Sequence, residues 1–393
     1  MLKKESKIIF LNQMAGPLFR ELAEDVAEYF GPAMMYTGHP DTISIGGKEG
    51  LAIEPAPKYD RANLFTRMFS WFHYFFNAFI KISLYPSETL LVIVSNPPFL
   101  GLLGLFFKKL RQQKYVILVY DIYPDLLIEM GRIKKGVITR CWDYLNRLIY
   151  RNSTLLISIG QDMVAQLEEK IDFSNSCTSQ PICIPPWVDV ELIKPIPKNQ
   201  NWFVQKYGLT EKTTVLYSGN MGHTHDIEFI LEIAKKMTDE SDIQFVFIGE
   251  GAKRGLVQET IDRFDLKNIT LLPFQHEDVL PYSMSCGDIG IVAYQNGTQG
   301  CMIPSKTFYY MAAGLVPLII SNIGTDLTSM VGEKDCGIWI KSDEADHMVH
   351  AILELHRDKE LLTHYKKTAR KTVEMDFSRK NSSRFIEVLE KYL

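Results

Sequence analysis

Short, uniformly apolar runs recur along the chain, and each leads through a turn into a segment of helical periodicity. Leu90–Ser95 and Tyr115–Tyr120 are two such runs in the first half, and Thr213–Ser218 and Ile243–Ile248 are two in the second. Uniform hydrophobicity over strand length is typical of strands buried on both faces of a parallel sheet. The repeated strand–helix alternation in two halves therefore predicts an α/β fold with two doubly wound domains.

A proline-rich stretch separates the two halves. The run PPWVDVELIKPIPKNQ holds four prolines, which favours a connector over a helix or strand. We therefore predict a first domain over residues 1–190, a linker over 185–199 and a second domain over 200–376. The last segment, residues 377–393, has an amphipathic pattern and is predicted to be a helix that packs back on the first domain.

Composition and charge exclude several classes of function. With a net charge of -4 and a pI of about 6.2, the chain has no general attraction to nucleic acid. Its six cysteines form no C-x-x-C pair, which favours reduced thiols in the cytoplasm over disulfides or a zinc site. The N-terminus lacks the apolar core of a signal peptide, and no apolar run reaches bilayer-spanning length. We therefore predict a cytoplasmic protein.

Two helical segments are rich in apolar and aromatic residues. Residues 64–84 carry many aromatics at amphipathic spacing, and residues 100–111 end in Lys108, Lys109 and Arg111. Aromatic faces with basic rims suit an anionic membrane surface, at which the protein would be peripheral. The alternative is that both helices simply cover the sheet of the first domain. The two interpretations are compatible.

Three features of the second half predict a bound anion. The turns Gly219-Asn220-Met221-Gly222 and Gly249-Glu250-Gly251 each follow a buried strand, and Pro304-Ser305-Lys306 begins a helix. Glycine lets a phosphate approach backbone N–H groups, and a lysine in the first turn adds to the positive end of the helix dipole. Ordinary strand–helix turns explain the same residues. Neither turn is a P-loop or a full G-x-G-x-x-G, which disfavours an ATPase or a nicotinamide enzyme.

The first half offers a separate set of candidates. Asp121 and Tyr123 follow a buried strand, where a carboxylate can act as a base or bind sugar hydroxyls. A structural Asp121 is the alternative. Gly16 follows the first strand, where a ligand could approach the backbone closely. No set of His, Asp and Glu has the spacing of metal ligands, so we expect no metal site.

The chain resembles retaining glycosyltransferase family 4, whose fold is GT-B. The second half carries this resemblance in YSGNMG, FVFIGEG, LLPF, CGDIGIVAY and IPSKTFYYMAAGLVPLII. In the first half, YDIYPDLLIEMGRIKKG, LNRLIYRNSTLLISIGQDM and IPPWVDVELIKP are similar to the branch with colanic-acid and O-antigen glycosyltransferases of the WbuB type. The resemblance implies two Rossmann-like domains with a cleft between them.

The same resemblance implies a function. It implies a hexosyltransferase that moves a sugar from a UDP- or GDP-sugar to a polysaccharide, lipid-linked or small-molecule acceptor, with retention and without a metal. The pathway it implies is exopolysaccharide, glycolipid or natural-product glycoside biosynthesis. Lys306 and Asp121 would be catalytic. The diphosphate would contact Gly16, Gly219, Asn220, His225, Gly249, Gly251, Lys253, Pro304, Ser305 and Lys306. The sugar, ribose and base would contact Phe274, Gln299, Gly300, Cys301, Met302, Tyr309 and Tyr310. The acceptor would contact Gly16, Asp121 and Tyr123.

The sequence departs from the family at several of these positions. The two carboxylates of the family's E-x7-E signature fall on Cys301 and Tyr309, and the basic pair after the first donor-domain strand falls on Asn220 and His225. Lys306 is retained. The missing carboxylates support an alternative: a catalytically altered GT-B protein, such as a pseudo-glycosyltransferase, a sugar-nucleotide epimerase or a non-catalytic binding protein.

Overall fold

Two parallel sheets organise the chain, and each belongs to a separate unit. The structure is a computed structural model that describes residues 6–60, 64–171 and 180–392; Cys177 lies outside them. Unit 1 comprises Met1–Pro185 and Lys380–Leu393, and unit 2 comprises Pro186–Arg379. No disulfide joins the five cysteines in the described part of the chain.

Unit 1 contains a seven-stranded sheet. The order is β3-β2-β1-β4-β5-β6-β7, with every neighbouring pair parallel. Its strands are β1 Ile8–Leu11, β2 Ala33–Thr37, β3 Leu51–Pro55, β4 Leu90–Val94, β5 Tyr115–Val119, β6 Leu155–Ser158 and β7 Ile182–Cys183. The helices before the crossing to unit 2 are α1 Pro17–Phe30, α2 Pro40–Ile45, α3 Leu64–Ser83, α4 Gly101–Arg111, α5 Asp125–Glu129, α6 Val137–Asn152 and α7 Gln161–Lys170.

Unit 2 contains a six-stranded parallel sheet in the order β10-β9-β8-β11-β12-β13. The strands are β8 Thr213–Ser218, β9 Ile243–Ile248, β10 Ile269–Leu272, β11 Ile289–Ala293, β12 Val316–Ile320 and β13 Ile338–Ile340. The α-helices are α8 Trp202–Lys206, α9 Ile227–Lys236, α10 Arg254–Phe264, α11 Leu280–Met284, α12 Lys306–Ala312, α13 Asp326–Glu333, α14 Ala345–Arg357 and α15 Lys359–Asp376. Short 3-10 turns cover Lys198–Gln200 and Glu277–Val279.

Burial explains why the apolar runs form central strands. Every residue of β4, β5, β8, β11 and β12 is buried, as expected for strands covered by helices on both faces. Both sheets have the strand order of Rossmann-like domains, in which the chain reverses direction across the sheet at one internal pair. The predicted fold class, two doubly wound α/β domains, is confirmed.

Helix α16, Lys380–Glu390, is part of unit 1 although unit 2 precedes it in the chain. Phe385 and Leu389 are buried, and the hydroxyl of Tyr29 in α1 donates to Oε1 of Glu390 at 2.7 Å. The proline-rich segment packs on unit 2 instead. Val188 and Ile193 are buried in its core, so this stretch is fixed by apolar contacts of its own.

Helices α3 and α4 have two unlike faces. The inner residues Tyr74, Ala78 and Ile82 of α3 are fully buried, and the Tyr74 hydroxyl donates to the carbonyl of Tyr36 in β2 at 2.8 Å. The outer face is apolar and exposed; its members are Phe65, Met68, Phe69, Phe72, Phe76, Ile80 and Leu84, with Phe106 and Leu110 of α4. Within residues 6–60, 64–171 and 180–392, no helix combines the length and hydropathy that crossing a bilayer requires.

Candidate functional site

The strand order of unit 2 reverses between β8 and β11, which pair in the sheet although β9 and β10 lie between them in the chain. In doubly wound sheets, ligands bind at the carboxyl ends of the strands where the order reverses. Gly219 directly follows β8, and residues 294–305 connect β11 to α12. The candidate site of unit 2 is therefore built by these two segments and by the turn that follows β9, the neighbour of β8.

Two of the predicted glycines hold the turns after β8 and β9 against each other. Gly249 has a φ of 148°, and a Cβ there would overlap the carbonyl oxygen of Gly219. Gly251 has a φ of 144°, and its Cβ would lie 2.6 Å from the carbonyl oxygen of Met221. The amides of Gly219 and Gly249 already donate to Ile248 and Leu272 of the sheet. These glycines therefore allow two turns to touch, and the N–H groups of Gly219 and Gly249 are already used within the sheet.

Lys306 occupies the centre of this arrangement. It is the first residue of α12, and its Nζ lies 3.7 Å from the centroid of the Tyr217 ring and within 4 Å of a Cβ placed on Gly219. The Nζ atom is shielded from solvent and has no hydrogen-bond partner among the described residues. Burial lowers the pKa of this amine well below its usual range. A buried amine with unused donors is an expected ligand for an anion.

His225 is held in one tautomer beside Lys306. Its Nδ1 lies 3.1 Å from the carbonyl oxygen of Ala293, and because a carbonyl only accepts, Nδ1 carries the proton. Burial lowers the pKa of His225 well below its usual range, and the nearby Lys306 and Lys253 add to that effect. The ring is therefore neutral, and its remaining nitrogen is an acceptor. The predicted contact of His225 with the diphosphate would therefore involve a neutral ring.

Lys253 also differs from its expected position. The side chain is buried, and its Nζ donates to the carbonyl of His225 at 2.7 Å, to Oε2 of Glu228 at 2.6 Å and to Oε1 of Gln295 at 3.2 Å. An ammonium has three donors, and all three are used. Lys253 is therefore a poor phosphate ligand, which corrects its assignment to the diphosphate.

The segment predicted to face the sugar is mostly enclosed. Cys301 is buried, and Gln299 is nearly buried with its Nε2 3.4 Å from Oγ of Ser321. Gly300 has a φ of 76°, and Met302 is half-buried. Residues 299–302 therefore form a partly buried part of the segment between β11 and α12.

The other predicted donor contacts fall into two groups. Asn220, Ser305 and Phe274 are exposed, Tyr309 is half-buried and Pro304 is buried. Tyr310 has no exposed surface, and its hydroxyl accepts from the Ser218 amide at 2.7 Å. Tyr310 thus belongs to the core, where it fixes the end of β8. This corrects its assignment to the ribose or base.

Unit 1 presents a carboxyl group after β5. Burial raises the pKa of Asp121 to about 6, although a hydrogen bond with Tyr123 opposes that shift. The Tyr123 ring stacks on Trp142 with centroids 5.9 Å apart. The amide of Asp121 donates to Oγ of Ser95, which follows β4, at 3.2 Å. Asp121 and Tyr123 therefore form one small polar group on an aromatic support.

Gly16 lies at the strand reversal of unit 1. Unit 1 reverses between β1 and β4, and Gly16 follows β1 as the residue that precedes α1. No side chain caps α1 at this point, and a Cβ on Gly16 would meet nothing within 4 Å. Space therefore adjoins the first turn of α1. Two roles were predicted for Gly16: contact with the diphosphate and contact with the acceptor. Gly16 lies in unit 1 and Lys306 in unit 2, so the site within unit 1 concerns the acceptor role.

Sequence reasoning missed several residues that shape these sites. In unit 2, Glu228 and Gln295 contact Lys253, and Tyr217 lies beside Lys306. In unit 1, Trp142 stacks on Tyr123, and Phe99 packs on Trp142. Tyr217 could have been noticed as the last aromatic before the GNMG turn. The roles of Glu228 and Gln295 depend on a contact with a distant lysine, for which their local sequence contains no signal.

A known protein family matches the part of the chain that holds the candidate site of unit 2. Residues 212–358 match the family described as "Glycosyl transferases group 1". The matched segment begins just before β8 and extends through α14, so it contains every candidate residue of unit 2. It covers less than half of the chain.

Two curated relatives extend the similarity. The chain is 27% identical over 230 residues to "Probable glycosyltransferase WbjE" of Pseudomonas aeruginosa, which covers 57% of this chain and 55% of that protein. It is 24% identical over 224 residues to "Putative colanic acid biosynthesis glycosyl transferase WcaI" of Escherichia coli (strain K12), which covers 56% and 54%. The chain thus spans about half the length of the curated relatives it matches.

Solved structures show the fold. HepE of Anabaena, in a complex with UDP and glucose, superimposes with a TM-score of 0.75 over 98% of this chain and 100% of that one, at 13% identity. WaaG, a glycosyltransferase involved in lipopolysaccharide biosynthesis, gives a TM-score of 0.69 over 97% and 99%, also at 13% identity. The chain has the GT-B fold. Within that fold, unit 2 carries the part that matches the family model.

Proposed function

We propose that this GT-B protein is a glycosyltransferase and that its unit 2 binds the diphosphate of a nucleotide sugar. The observation that carries the proposal is the Lys306 Nζ, which is shielded, has no hydrogen-bond partner among the described residues and lies beside the Gly219 turn. The group 1 family match and the glycosyltransferase relatives support the same assignment. We propose UDP or GDP as the nucleotide; HepE is described in a complex with UDP.

The proposed reaction exchanges one bond at the anomeric carbon for another. The bond to the diphosphate oxygen breaks, a bond to the acceptor oxygen forms on the same face of the sugar, and the acceptor proton passes to the leaving diphosphate. Negative charge on the diphosphate favours the ammonium form of Lys306, which then stabilises the developing charge. We propose that this cation takes the place of a metal ion.

We propose that unit 1 holds the acceptor. The Asp121 carboxyl, with a pKa of about 6, is largely ionised at neutral pH and can accept a hydrogen bond from an acceptor hydroxyl. Tyr123 and Trp142 offer flat aromatic surfaces, on which sugar rings pack through their C–H faces. We propose a polysaccharide, lipid-linked or small-molecule acceptor; WcaI of Escherichia coli is named for colanic acid biosynthesis.

We also propose that the outer face of α3 and α4 rests on an anionic membrane surface. Phe65 is 81% exposed, and the remaining apolar side chains of this face are more than one-third exposed. The Arg111 guanidinium donates to the carbonyls of Ile82 and Tyr85, which joins the end of α4 to the end of α3. Lys108 and Lys109 lie in the same last turn as Arg111, so apolar and basic groups occur together.

A second candidate function is supported by Cys301 and Tyr309, which stand where the family has carboxylates. A GT-B protein with altered chemistry, such as a pseudo-glycosyltransferase or an epimerase, would bind the donor and form no glycosidic bond. Mass spectrometry and NMR of the products formed from a bound donor distinguish the two functions, since only the glycosyltransferase yields a new glycoside.

Replacement of Lys306 tests the proposed function. After a thermal-shift screen identifies the nucleotide sugar, Lys306→Ala should lower turnover, measured as nucleotide release, by about 30- to 900-fold. This range corresponds to about 2–4 kcal/mol for the loss of one charged contact in the transition state. Affinity for the free nucleoside diphosphate, measured by calorimetry, should fall as well.

Lys235→Ala is the matched control. The Lys235 Nζ lies 4.1 Å from the Phe264 ring centroid, so this variant removes a lysine–aromatic contact of the same kind elsewhere in unit 2. Its turnover and affinity should equal those of the original protein. Equal turnover in Lys306→Ala and Lys235→Ala would refute the proposed role of Lys306.

A further inference from the structure

Lys253 joins three turns of unit 2 at the carboxyl end of the sheet. It lies in the turn after β9, and its Nζ binds the carbonyl of His225 and the carboxylate of Glu228 in the segment after β8. The third contact is with Oε1 of Gln295, which begins the segment after β11. The donor–acceptor distances are 2.7, 2.6 and 3.2 Å. One ammonium therefore connects every loop of the candidate anion site.

Main-chain hydrogen bonds reinforce the same connections. The Lys253 amide donates to the Met221 carbonyl at 2.9 Å, and the Met221 amide donates to the Glu250 carbonyl at 2.8 Å. The Gln295 amide donates to the Thr224 carbonyl at 2.9 Å. The turn after β8 is thus held on one side by the turn after β9 and on the other by the segment after β11.

The Lys253 ammonium has no donor left for a ligand, and this distinguishes it from Lys306. The residue is 9% exposed, and its three acceptors match the three N–H bonds of an ammonium. The Lys306 side chain differs in its hydrogen bonds: its Nζ is shielded from solvent and has no hydrogen-bond partner in the described part of the chain. The Lys253 ammonium donates all its hydrogen bonds to the protein, whereas the shielded Nζ of Lys306 donates none within the described residues.

We propose that Lys253 is a positioning residue that sets the spacing of the three turns around the Lys306 ammonium and thereby the affinity for a nucleoside diphosphate. This inference rests on the proposed function. Lys253 acts through the turns and does not touch the ligand. Removal of its ammonium would leave the amide oxygen of Gln295 without its donor and the carbonyl of His225 with the Ile227 amide alone, and the two segments could then separate.

The experiment compares nucleoside diphosphate affinity in full-length variants. Lys253→Met keeps the volume and removes the three donors. Its dissociation constant for UDP or GDP, whichever the original protein binds, should rise at least tenfold when measured by calorimetry well below the melting temperature. Gln295→Leu breaks only the connection to the segment after β11 and should raise the dissociation constant about threefold or more. Lys253→Arg restores the donors and should recover part of the lost affinity.

Lys366→Met is the matched control for loss of a buried lysine contact. The Lys366 Nζ lies 2.6 Å from Oδ1 of Asp288, whose carboxylate binds the main chain at the start of β8, at the opposite end of that strand. This variant should lower the melting temperature and leave the dissociation constant unchanged. A purely structural role for Lys253 would give the same pattern in Lys253→Met.

The inference is overturned if Lys253→Met folds and binds the nucleoside diphosphate within twofold of the original protein. If Lys253→Met does not fold, the affinity of Gln295→Leu decides. Lys306→Ala distinguishes this failure from failure of the proposed function. If Lys306→Ala loses affinity and the Lys253 and Gln295 variants do not, the proposed diphosphate site is supported and only the proposed role of Lys253 is wrong.

Discussion

At the scale of single residues, burial moves two ionisable groups towards their neutral forms. The pKa of the Lys306 amine is lowered, and the pKa of the Asp121 carboxyl is raised to about 6. Each shift comes mainly from the loss of hydration. Groups with such shifted pKa values are typical of functional sites, because a bound ligand can provide the opposite charge or hydrogen bond that stabilises the ionised form. Asp121 lies in unit 1 and Lys306 in unit 2.

The Asp121 pKa predicts the acid side of the pH profile. If the carboxylate binds the acceptor hydroxyl, turnover should be constant above about pH 7 and fall as the pH drops through about 6, because protonation removes the acceptor. Asp121→Asn should lower turnover and abolish this limb. Measurement of kcat/KM from pH 5 to 9 provides the check.

Asp125→Asn is the control for this profile. Asp125 is the first residue of α5, and its carboxylate pairs with the Lys170 ammonium. The acid limb should remain in this variant, since the affected carboxylate already has a protein partner. A limb that persists in Asp121→Asn would assign it to another group.

At the scale of elements, the contact between the turns after β8 and β9 depends on the lack of a side chain at Gly249. Gly249→Ala would place a methyl group on the Gly219 carbonyl and force an L residue to a φ of 148°. We expect a loss of about 1–3 kcal/mol in the free energy of unfolding from backbone strain, together with weaker nucleotide binding. Chemical denaturation and calorimetry measure the two effects.

Gly255→Ala is the corresponding control in α10. A Cβ on Gly255 meets nothing within 4 Å, and alanine is the better helix former by about 0.5–1 kcal/mol. This variant should be as stable as the original protein or more stable, with unchanged nucleotide affinity. Equal stability of the two glycine variants would contradict the contact between the turns.

The central strands of both sheets were predictable because they are apolar along their whole length. Leu90–Val94 and Ile289–Ala293 are apolar throughout, and both are fully buried. From the sequence, Asp121 is a candidate because it follows a strand and Lys306 because it begins a helix, and their roles stay predictions. The state of Lys253 was not, because its three acceptors come from segments that are 25 to 42 positions away in the chain. The sequence around each residue does not indicate contacts between segments so far apart in the chain.

At the scale of the whole molecule, the exposed face of α3 and α4 predicts binding to vesicles. In flotation experiments the protein should bind vesicles that contain phosphatidylglycerol more strongly than pure phosphatidylcholine, and high salt should weaken the difference. Combined Phe69→Ser, Phe72→Ser and Phe76→Ser changes should lower the partition coefficient at least tenfold, since three inserted rings contribute about 2–5 kcal/mol.

The control for flotation lies on α6. Val137 and Ile138 are 74% and 81% exposed, so a Val137→Ser and Ile138→Ser variant removes exposed apolar surface of the same unit that does not belong to α3 or α4. Vesicle binding should be unaffected by this change. If the original protein does not float with anionic vesicles, the alternative holds, in which both helices only cover the sheet.

The position of α16 also determines when unit 1 can be completed during synthesis. The ribosome makes β1 to β7 first, then all of unit 2, and only then the helix that covers α1. Until Phe385 and Leu389 emerge, the α1 surface that they bury stays in contact with water. The first unit to begin folding is therefore the last to finish, and a nascent chain stalled before residue 380 would present an apolar surface to chaperones.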